Sequence, residues 1–547
     1  MKRRLQELLA RALATAVAKG AITVSDLPTP QLEAPRERQH GDLASNIALT
    51  IARAARMPPR AIAETILAHL DDPESLLASA EVAGPGFLNF TLSADFWRSC
   101  LQEAEAAGDR FGASAGNAGR RAHVEYVSAN PTGPLTVGHG RNAVIGDTIA
   151  RLLEATGATV LREYYFNNAG RQMTLLGAST WARYQELLGR RVAFPEDGYQ
   201  GEYITAVAAD VRAQHGDGLT EGDLPLLRQA AEDAIFADIR RTLERMSIRF
   251  DAFVSETALH RDGDVTRVLD ALRAAGLVEE RDGAIWLRGE AVGLRQDRVL
   301  VKSSGEPAYR LPDVAYHRHK LEGGYDLVID VLGADHIDEH EDVLAALRGL
   351  GLDVSTVRAV IYQFVTLTRG GEQVKMSTRR AQYVTLDELL DEVGVDAARF
   401  FFLLRKSDSH LEFDLELAKQ QSTDNPVYYV QYAHARVASV LRQAAEKGLG
   451  ADGGDPRLLV EDEEMELIRR LAQLPEVIEA AATDLEPHRL AFYLMDFAGA
   501  FHRYYNRHRI ITDDPHLTRA RLLLVRNAQR VARMGLGLLG VSAPDRM

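Results

Sequence analysis

The 547-residue sequence contains a single cysteine, Cys100, so an internal disulfide is excluded and a cytoplasmic protein is favoured. It also lacks a long apolar run. The first nine residues are basic and then amphipathic, and charged or polar residues interrupt them before a secretory or membrane segment can develop. We therefore expect a cytoplasmic protein with no membrane partner.

Positive charge is scarce as well: the formal net charge is −14, which by itself argues against a polyanionic partner. The two ends differ from this average. Residues 501–547 hold nine arginines against three aspartates, and residues 1–38 hold seven lysines and arginines against four acidic residues. The excess of acid must lie between them, so the ends could hold RNA while the centre receives a cationic substrate. Solvated helix faces are the alternative explanation for any one arginine.

The overall composition is that of a globular protein, with 46% hydrophobic and 26% charged residues in a chain long enough for two to four domains. The strand and helix periodicities predict a multidomain α/β protein. It comprises an N-terminal α+β domain, a Rossmann-like parallel-sheet domain with a helical insertion, and a C-terminal all-α bundle. The predicted units are residues 1–112, residues 120–374 with the insertion at about 175–250, a connecting segment 375–424, and residues 425–547. After the insertion, strand signals resume at residues 284–287 and 299–301, where the second half of the sheet is predicted to begin, and another apolar strand is predicted at residues 361–368.

A stretch near the start of the second unit predicts a nucleotide site. Residues 123–129 have the composition of a buried strand, a loop with two prolines and three glycines follows, and apolar residues recur at helical spacing from Val144. This order places backbone N–H groups and the positive helix end where a phosphate can bind. Gly138 allows a close approach, and His139 offers a ring N–H to a phosphate oxygen. An ordinary tight turn with a surface histidine is the alternative.

A second stretch, Val374–Arg380, lies far downstream and contains Lys-Met-Ser. Together the two stretches resemble the His-x-Gly-His and Lys-Met-Ser-Lys-Ser signatures of class I aminoacyl-tRNA synthetases. Wider runs, residues 125–171 and 309–436, resemble arginyl-tRNA synthetases in particular, and the resemblance covers nearly the whole chain.

The chain departs from both signatures: Thr136 stands in place of the first histidine and Thr378 in place of the second lysine. Thr136 can still donate a hydrogen bond, and Arg379 or Arg380 could supply the missing cation. The resemblance implies that ATP binds here, with Mg²⁺ held through ATP and not by a protein site. It implies catalytic roles for His139, Lys375 and Gly138, and ATP binding by Gly138, His139, Gly140, Lys375, Met376 and Ser377.

Acidic residues near the predicted strand ends suit an arginine substrate. A fixed carboxylate can bind the planar guanidinium group by two parallel hydrogen bonds, a geometry that an ammonium cannot copy. The resemblance assigns Tyr309 and Asp313 to the guanidinium group, Asn130 and Asp335 to the α-amino end, and Glu125 to the same pocket. For any single acid, a helix cap or a surface carboxylate is the alternative.

Two regions are candidates for contacts with RNA. Residues 81–92 predict one half-buried strand with Phe87 and Asn89 on the same face, where they could stack on and hydrogen-bond an unpaired base. In arginyl-tRNA synthetases the resembling Gly-x-Gly-Phe-x-Asn run belongs to a domain that touches the tRNA elbow, which implies this role for both residues. Filling of a core by Phe87 is the alternative.

The second region is the helical C-terminal unit, where tyrosines are interleaved with arginines. Rings and guanidinium planes offer surfaces on which unpaired bases can stack. The run at residues 429–436 resembles the anticodon-binding bundle of the family, which implies tRNA contacts by Tyr432, Arg436, Tyr505 and the terminal Met547. Ordinary packing of helices by these tyrosines is the alternative.

The resemblance implies an arginine–tRNA ligase that uses ATP to activate L-arginine and transfers it to the 3′ end of tRNA(Arg), with tRNA needed for activation. We expect a monomer. The alternatives are an RNA-binding paralogue without charging activity and a class I synthetase for another amino acid. A more distant alternative is a zinc peptidase, because residues 336–340 match His-x-x-Glu-His, although the sequence offers no clear third ligand.

Overall fold

The computed structural model describes residues 2–35, 37–374 and 384–547. The predicted ATP-binding residues Lys375, Met376 and Ser377 lie outside the described residues, as do Thr378, Arg379 and Arg380. The described chain contains one parallel sheet of five strands and three smaller sheets, with helices packed around them. The predicted multidomain α/β fold class is confirmed.

The N-terminal unit packs helices against one face of an antiparallel sheet with strand order β1-β3-β2. The sequence interpretation of residues 81–92 as one strand was wrong, because Gly84 and Gly86 adopt positive φ and turn the chain into a β2–β3 hairpin. The predicted alternation holds in β3, where Leu88 and Phe90 are buried. The elements are α1 (Lys2–Ala18), β1 (Leu43–Ser45), α2 (Ile47–Ala55), α3 (Pro59–Ala68), β2 (Leu77–Ala83), β3 (Phe87–Leu92) and α4 (Ala94–Ala107).

A parallel sheet with strand order β11-β10-β4-β5-β6 forms the centre of the second unit. The chain leaves β4 toward β5 on one side and later returns to place β10 on the other. The carboxyl ends of β4 and β10 therefore flank the point where a ligand crevice opens. The first elements are β4 (Arg121–Glu125), α5 (Val137–Ala155), β5 (Thr159–Phe166), α6 (Gly170–Leu187), α7 (Glu202–His215), α8 (Leu224–Arg245) and β6 (Ala252–Ser255).

A second insertion follows β6 and carries its own antiparallel sheet, β7-β8-β9. The sequence interpretation placed the residues of β8 and β9 in the main sheet and missed β6, which is only four residues long and pairs at the sheet edge. The elements are α9 (Glu256–Arg261), α10 (Asp264–Ala274), β7 (Val278–Arg281), β8 (Ala284–Leu287), α11 (Gly289–Val292), β9 (Arg298–Val301), α12 (Arg310–Glu322), β10 (Leu327–Gly333) and α13 (Ile337–Gly349).

The connection to the C-terminal unit begins with two strands where the sequence predicted one over residues 361–368. The first completes the parallel sheet, and the second joins a separate sheet with order β13-β12-β14. The chain changes direction between them at Gln363 and Phe364. The elements are β11 (Val357–Tyr362), β12 (Val365–Arg369), β13 (Glu372–Gln373), α14 (Leu386–Val393), α15 (Val395–Phe402), β14 (Leu411–Asp414) and α16 (Leu415–Lys419).

The C-terminal unit is all-helical, and its apolar core continues into that of the parallel-sheet unit. The longest helices pack against each other through aliphatic and aromatic side chains. In the described residues no helix is both long enough and apolar enough to cross a membrane. The elements are α17 (Pro426–Glu446), α18 (Asp462–Ala472), α19 (Leu474–Asp484), α20 (His488–Arg507) and α21 (Pro515–Leu538).

Candidate active site

The N-terminus of α5 presents a neutral imidazole close to the backbone N–H of Gly138. Thr136 precedes the helix, and its N–H donates to Nδ1 of His139 at 3.1 Å, so the other ring nitrogen, Nε2, carries the proton. Burial lowers the pKa of His139 to about 4, which keeps the ring neutral near pH 7. The N–H groups of Val137 and Gly138 have no intrahelical acceptor. A Cβ built on Gly138 would meet only Thr136 Oγ1, at 3.7 Å, so the approach is open.

Gly140 serves the packing of this helix. Its N–H donates to the carbonyl of Thr136 at 3.1 Å. A Cβ at this position would lie 2.6 Å from Cδ1 of Leu386 and 3.1 Å from the ring of Phe402. Glycine therefore allows α14 and α15 to close against α5, and the predicted contact of Gly140 with ATP stays a prediction.

The loop after β4 is held in a strained conformation. Val127 and Ser128 have positive φ, at 66° and 45°, which side chains other than glycine rarely adopt. Asn142 of α5 accepts a hydrogen bond from the Val127 N–H at 2.6 Å and donates to the carbonyl of Val331 in β10 at 2.8 Å. Asn142 thus joins both sides of the ligand crevice. The sequence interpretation did not single it out.

Four acidic side chains converge at the same end of the sheet. Glu125 ends β4, Glu256 begins α9 after β6, and Asp313 and Glu339 lie in the first turns of α12 and α13. Burial, and then the negative charges of Glu256, Glu125 and Glu339, raise the pKa of Asp313 to about 8. Burial also raises the pKa of Glu256. A cation bound among them would relieve this repulsion.

Two tyrosines orient acids of this pocket. The Tyr165 hydroxyl donates to Glu256 Oε2 at 3.0 Å, and the hydroxyl of Tyr309 hydrogen-bonds Glu339. Tyr309 precedes α12, and 49% of its surface is exposed. The sequence interpretation named Tyr309 but missed Glu256 and Glu339. No local pattern distinguishes either acid from the carboxylates common in the first turn of a helix.

Asn130 and Asp335, predicted at the α-amino end of arginine, lie on loops after β4 and β10. Asn130 accepts a hydrogen bond from the N–H of Asn167 at 3.0 Å and donates to Gln172 at 3.2 Å. The carboxylate of Asp335 is exposed and lies 3.7 Å from Nε2 of His336. Both therefore occupy the same edge of the sheet as Glu125, and contact with the substrate stays a prediction.

The two histidines of the zinc-peptidase pattern, His336 and His340, contact different carboxylates. His336 is exposed and lies beside Asp335 and Glu339. Nε2 of His340 lies 3.0 Å from Oδ2 of the buried Asp330. A peptidase site needs both rings on one metal, so the pattern does not form one here.

A tight turn leads toward the Lys-Met-Ser segment. Gly370 and Gly371 both have positive φ, at 59° and 83°, and connect β12 to β13. Glycine suits both central positions of such a hairpin turn. Because these two glycines precede the Lys-Met-Ser segment, the sequence predicts that they act as a hinge for closure of that segment on ATP. The structure shows the turn, and the hinge role stays a prediction.

The residues predicted to contact the tRNA elbow lie on the open face of the N-terminal sheet. Phe87 is 42% exposed although its side chain is apolar, and Asn89 on the same face is half-buried. The alternative that Phe87 fills a core does not fit this exposure. The role in RNA binding stays a prediction.

The aromatic residues of the C-terminal unit surround one guanidinium group. Arg436 of α17 lies 4.3 Å from the ring centroid of Tyr432 and 4.8 Å from that of Tyr505 in α20. All three side chains are half-buried, so part of each ring is open to solvent. Met547 is 50% exposed at the end of a tail whose Pro544 carbonyl contacts His434 at 3.0 Å. The cluster thus brings together three of the four predicted anticodon-contact residues, Tyr432, Arg436 and Tyr505. The contact of all four with tRNA stays a prediction.

Comparisons with known families match the whole chain. Residues 3–92 match the arginyl tRNA synthetase N-terminal domain, residues 103–410 the class I (R) tRNA synthetase catalytic domain, and residues 430–547 the DALR anticodon binding domain. The chain is 49% identical to the arginine–tRNA ligase of Desulfotalea psychrophila over 100% of both chains. It is 50% identical to that of Salinibacter ruber over 94% of this chain and 96% of the relative.

Among solved structures, the arginyl-tRNA synthetase of Thermus thermophilus shares the fold, with a TM-score of 0.79, 24% identity and 100% of both chains covered. The parallel sheet with helix α5 after strand β4, in a chain that matches the class I (R) catalytic domain and the DALR anticodon binding domain, defines a class I aminoacyl-tRNA synthetase. These enzymes use ATP to activate an amino acid for ligation to tRNA. The chain belongs to the arginyl-tRNA synthetases and is an arginine–tRNA ligase, with arginine, ATP and tRNA(Arg) as its substrates.

Proposed function

We propose that the four-acid pocket binds the guanidinium group of arginine and that the N-terminus of α5 binds the phosphates of ATP. The observation that carries the first assignment is the convergence of Glu125, Glu256, Asp313 and Glu339, with the pKa of Asp313 raised to about 8 by burial and mutual repulsion. A guanidinium group stays protonated and presents five N–H donors in one plane. It can therefore hydrogen-bond to several carboxylates at once, in a planar arrangement that the ammonium group of lysine cannot match.

Within this pocket, Asp313 accepts two parallel hydrogen bonds from the guanidinium group, and Tyr309 lies along its plane. Asn130 and Asp335 bind the α-amino end at the mouth of the crevice. Their positions on the loops after β4 and β10 support this division, since those loops lie nearest the helix that binds the phosphates.

In the activation step the arginine carboxylate attacks the α-phosphorus of ATP, and the bond to the leaving pyrophosphate breaks. The carboxylate is already ionised, so catalysis consists of alignment and stabilisation of charge. His139 donates its Nε2–H to a phosphate oxygen, and the free N–H of Gly138 adds a second donor. The rest of the ATP site is assigned from the two sequence signatures alone: Gly140, Lys375, Met376 and Ser377.

Mg²⁺ fits this arrangement as an ion held by ATP. The protein groups at the N-terminus of α5 are a hydroxyl, an imidazole and backbone N–H groups, none of which is the carboxylate that Mg²⁺ prefers among side chains. The ion would neutralise part of the triphosphate charge.

Transfer follows when a hydroxyl of the terminal ribose of tRNA attacks the carbonyl carbon of the arginyl-adenylate: the ester bond forms, the bond to the phosphate oxygen breaks, and AMP leaves. Phe87 and Asn89 contact the tRNA elbow, and Tyr432, Arg436, Tyr505 and Met547 contact the anticodon loop. We propose that a monomer does this work in the cytoplasm, where a free thiol persists. The single cysteine is consistent with that compartment, because it cannot form an internal disulfide.

The experiment that tests this function is charging of total tRNA with each of the twenty amino acids in turn, with ATP and Mg²⁺ present. We expect arginine alone to be attached, with lysine at least about 1000-fold less efficient, because an ammonium cannot bind two parallel acceptors. Attachment of another amino acid would favour a different synthetase. Binding of tRNA without any charging would favour an inactive paralogue.

Tyr432→Ala is expected to raise the KM for tRNA about tenfold while the KM for ATP stays unchanged, because a base stacked on an aromatic ring contributes ~1–3 kcal/mol. Initial rates of charging at varied tRNA concentration measure the effect. Phe492→Ala is the control, since Phe492 is an exposed aromatic residue of the same unit outside the Arg436 cluster. Equal losses in both variants would contradict a specific role for Tyr432.

A further inference from the structure

A buried lysine lies directly beneath the acidic pocket. Lys320 is on α12, and its side chain is only 1% exposed. Its ammonium group donates to Glu125 Oε2 and to Asp330 Oδ1, the latter at 2.6 Å, and lies 4.2 Å from the ring centroid of Tyr316. One side chain therefore joins α12 to β4 and β10, the two strands that flank the ligand crevice.

Lys320 is charged although it is buried. Burial would lower the pKa of an isolated ammonium, but the carboxylates of Asp330 and Glu125 reverse this effect and raise the pKa of Lys320. Breaking such a pair leaves an uncompensated charge in the interior, which is far costlier than losing a surface ion pair. The geometry around Glu125 is therefore held firmly.

Asp330, the second carboxylate bound by Lys320, is also held in place by its neighbours. Burial alone would raise the pKa of Asp330, but the charge of Lys320 and hydrogen bonds from His317 and His340 hold it well below the usual range. Nε2 of His317 and Nε2 of His340 lie 3.1 and 3.0 Å from Asp330 Oδ2. Nδ1 of His317 also contacts the carbonyl of Asp313 at 2.9 Å, which links the network back to the pocket.

Lys320 and Asp313 lie seven residues apart on α12, two turns along the same face of the helix. The ammonium group of Lys320 donates to Oε2 of Glu125, and the Ser128 hydroxyl donates to Oε1 of the same carboxylate at 2.8 Å. Glu125 is thereby fixed and partly neutralised. Asp313 is left as the acid whose charge has to be balanced by the substrate.

We propose that Lys320 is a positioning residue for arginine: it fixes the Glu125 carboxylate from below and adjusts the charge of the pocket so that a single guanidinium group completes it. This inference rests on the proposed assignment of the pocket to arginine. Lys320 does not touch the substrate. It acts through Glu125 and, by its charge, through Asp313.

The test compares Lys320→Met, which keeps the length of the side chain and removes its charge, with the double variant Lys320→Met/Asp330→Asn, which also removes the carboxylate left without a partner. We expect Lys320→Met to raise the KM for arginine about 30-fold, with the KM for ATP changed by less than about twofold. The double variant should recover thermal stability but not the KM for arginine. Isothermal titration with arginine should show the same loss of binding.

The pH dependence gives a readout that a purely structural role would not move. In the parent, the KM for arginine should fall as rising pH removes the proton from Asp313, whose pKa is raised to about 8 by burial and by the acids around it. Without the lysine charge, repulsion between Glu125 and Asp313 increases, so this fall should shift to higher pH in both variants. Arg521→Met is the matched control. It breaks the buried pair of Arg521 with Glu464 in the C-terminal unit and should lower the melting temperature without changing the KM for arginine.

Three results would overturn the proposal. One is recovery of the KM for arginine in the double variant, and another is a parallel loss of arginine and ATP affinity in Lys320→Met. The third is stoichiometric zinc in the purified protein, bound by His317, Asp330 and His340, whose ligand atoms lie within 4.8 Å of one another. Asp313→Asn distinguishes failure of the pocket assignment from failure of the role of Lys320. Normal arginine binding in Asp313→Asn would contradict the pocket assignment itself. Weakened arginine binding in Asp313→Asn, together with normal arginine binding in Lys320→Met, would contradict only the role of Lys320.

Discussion

Asp313→Asn is expected to raise the KM for arginine about 1000-fold, while the KM for ATP stays within about twofold of the parent value. The amide has nearly the same shape as the carboxylate, but it carries no charge and offers one acceptor oxygen instead of two. It therefore cannot accept two parallel hydrogen bonds from a guanidinium group. Charging rates at varied arginine concentration, with tRNA and ATP saturating, measure the change.

The pH dependence of arginine binding provides a second readout of the same residue. The pKa of Asp313 is raised to about 8 by burial and then by Glu256, Glu125 and Glu339. Below that pH the free enzyme holds a proton on the carboxyl group, and this proton must leave before the guanidinium group binds. The KM for arginine should therefore fall about tenfold per pH unit between about pH 6 and 8 in the parent and stay flat in Asp313→Asn.

Asp338→Asn is the matched control. It replaces the same carboxylate by the same amide, but Asp338 lies exposed in the first turn of α13, outside the four-acid pocket. It should leave both the KM for arginine and its pH dependence as in the parent. An arginine KM in Asp313→Asn equal to that of the control, at every pH, would contradict the assignment of the guanidinium group to this pocket.

The parts of the fold that could be predicted from the sequence are those with a local signal. A strand, a Gly-rich loop and helix α5 in that order follow from composition and periodicity over a continuous run. The predicted strand bounds, residues 123–129, were wrong: β4 spans Arg121–Glu125, and residues 126–129 belong to the loop, where Val127 and Ser128 have positive φ. β6 was missed because its four residues are all half-buried and follow directly on a long helical insertion. The break at residues 363 and 364 was missed because both flanking strands are apolar.

The residues of the candidate site also divide into those with a local sequence signal and those without one. His139 and Asp313 could be found because they belong to runs that resemble a known family. Glu256 and Glu339 could not, since an acid in the first turn of a helix is ordinary and only the folded chain brings these two beside Asp313. Lys320 was hidden for a similar reason: a lysine in a helical run indicates a solvated face unless two buried carboxylates are known to lie opposite it.

The charge distribution shows why the acidic net charge misleads as a guide to partners. Glu125, Glu256 and Glu339 of the central unit converge on Asp313, in the pocket that we propose for the guanidinium group, and they add to the effect of burial in raising its pKa. The guanidinium group of Arg436, in the C-terminal aromatic cluster, lies against the rings of Tyr432 and Tyr505 and 3.4 Å from Nδ1 of His502. We therefore propose that acidic and basic side chains of one chain serve different substrates at separate places.

His139→Ala is expected to lower kcat for charging by about 100- to 1000-fold, the usual cost of removing one donor that stabilises charge in a transition state. The KM for arginine should not change, because the ring lies at the helix N-terminus and not in the acidic pocket. Single-turnover formation of arginyl-adenylate, measured with tRNA present, places the loss in the activation step.

The protonation state of His139 sharpens this prediction. Burial lowers its pKa to about 4, and Nδ1 accepts the Thr136 N–H, so the ring donates as a neutral group from Nε2 at every pH above about 5. The parent should therefore show no change in kcat near the ordinary histidine pKa, and His139→Ala should lower kcat by the same factor across that range. His319→Ala, which removes an exposed histidine of α12, is the control. A fall in the kcat of the parent with a midpoint near pH 6.5 that disappears in His139→Ala would mean that the ring works as a cation, and the neutral-donor mechanism would be wrong.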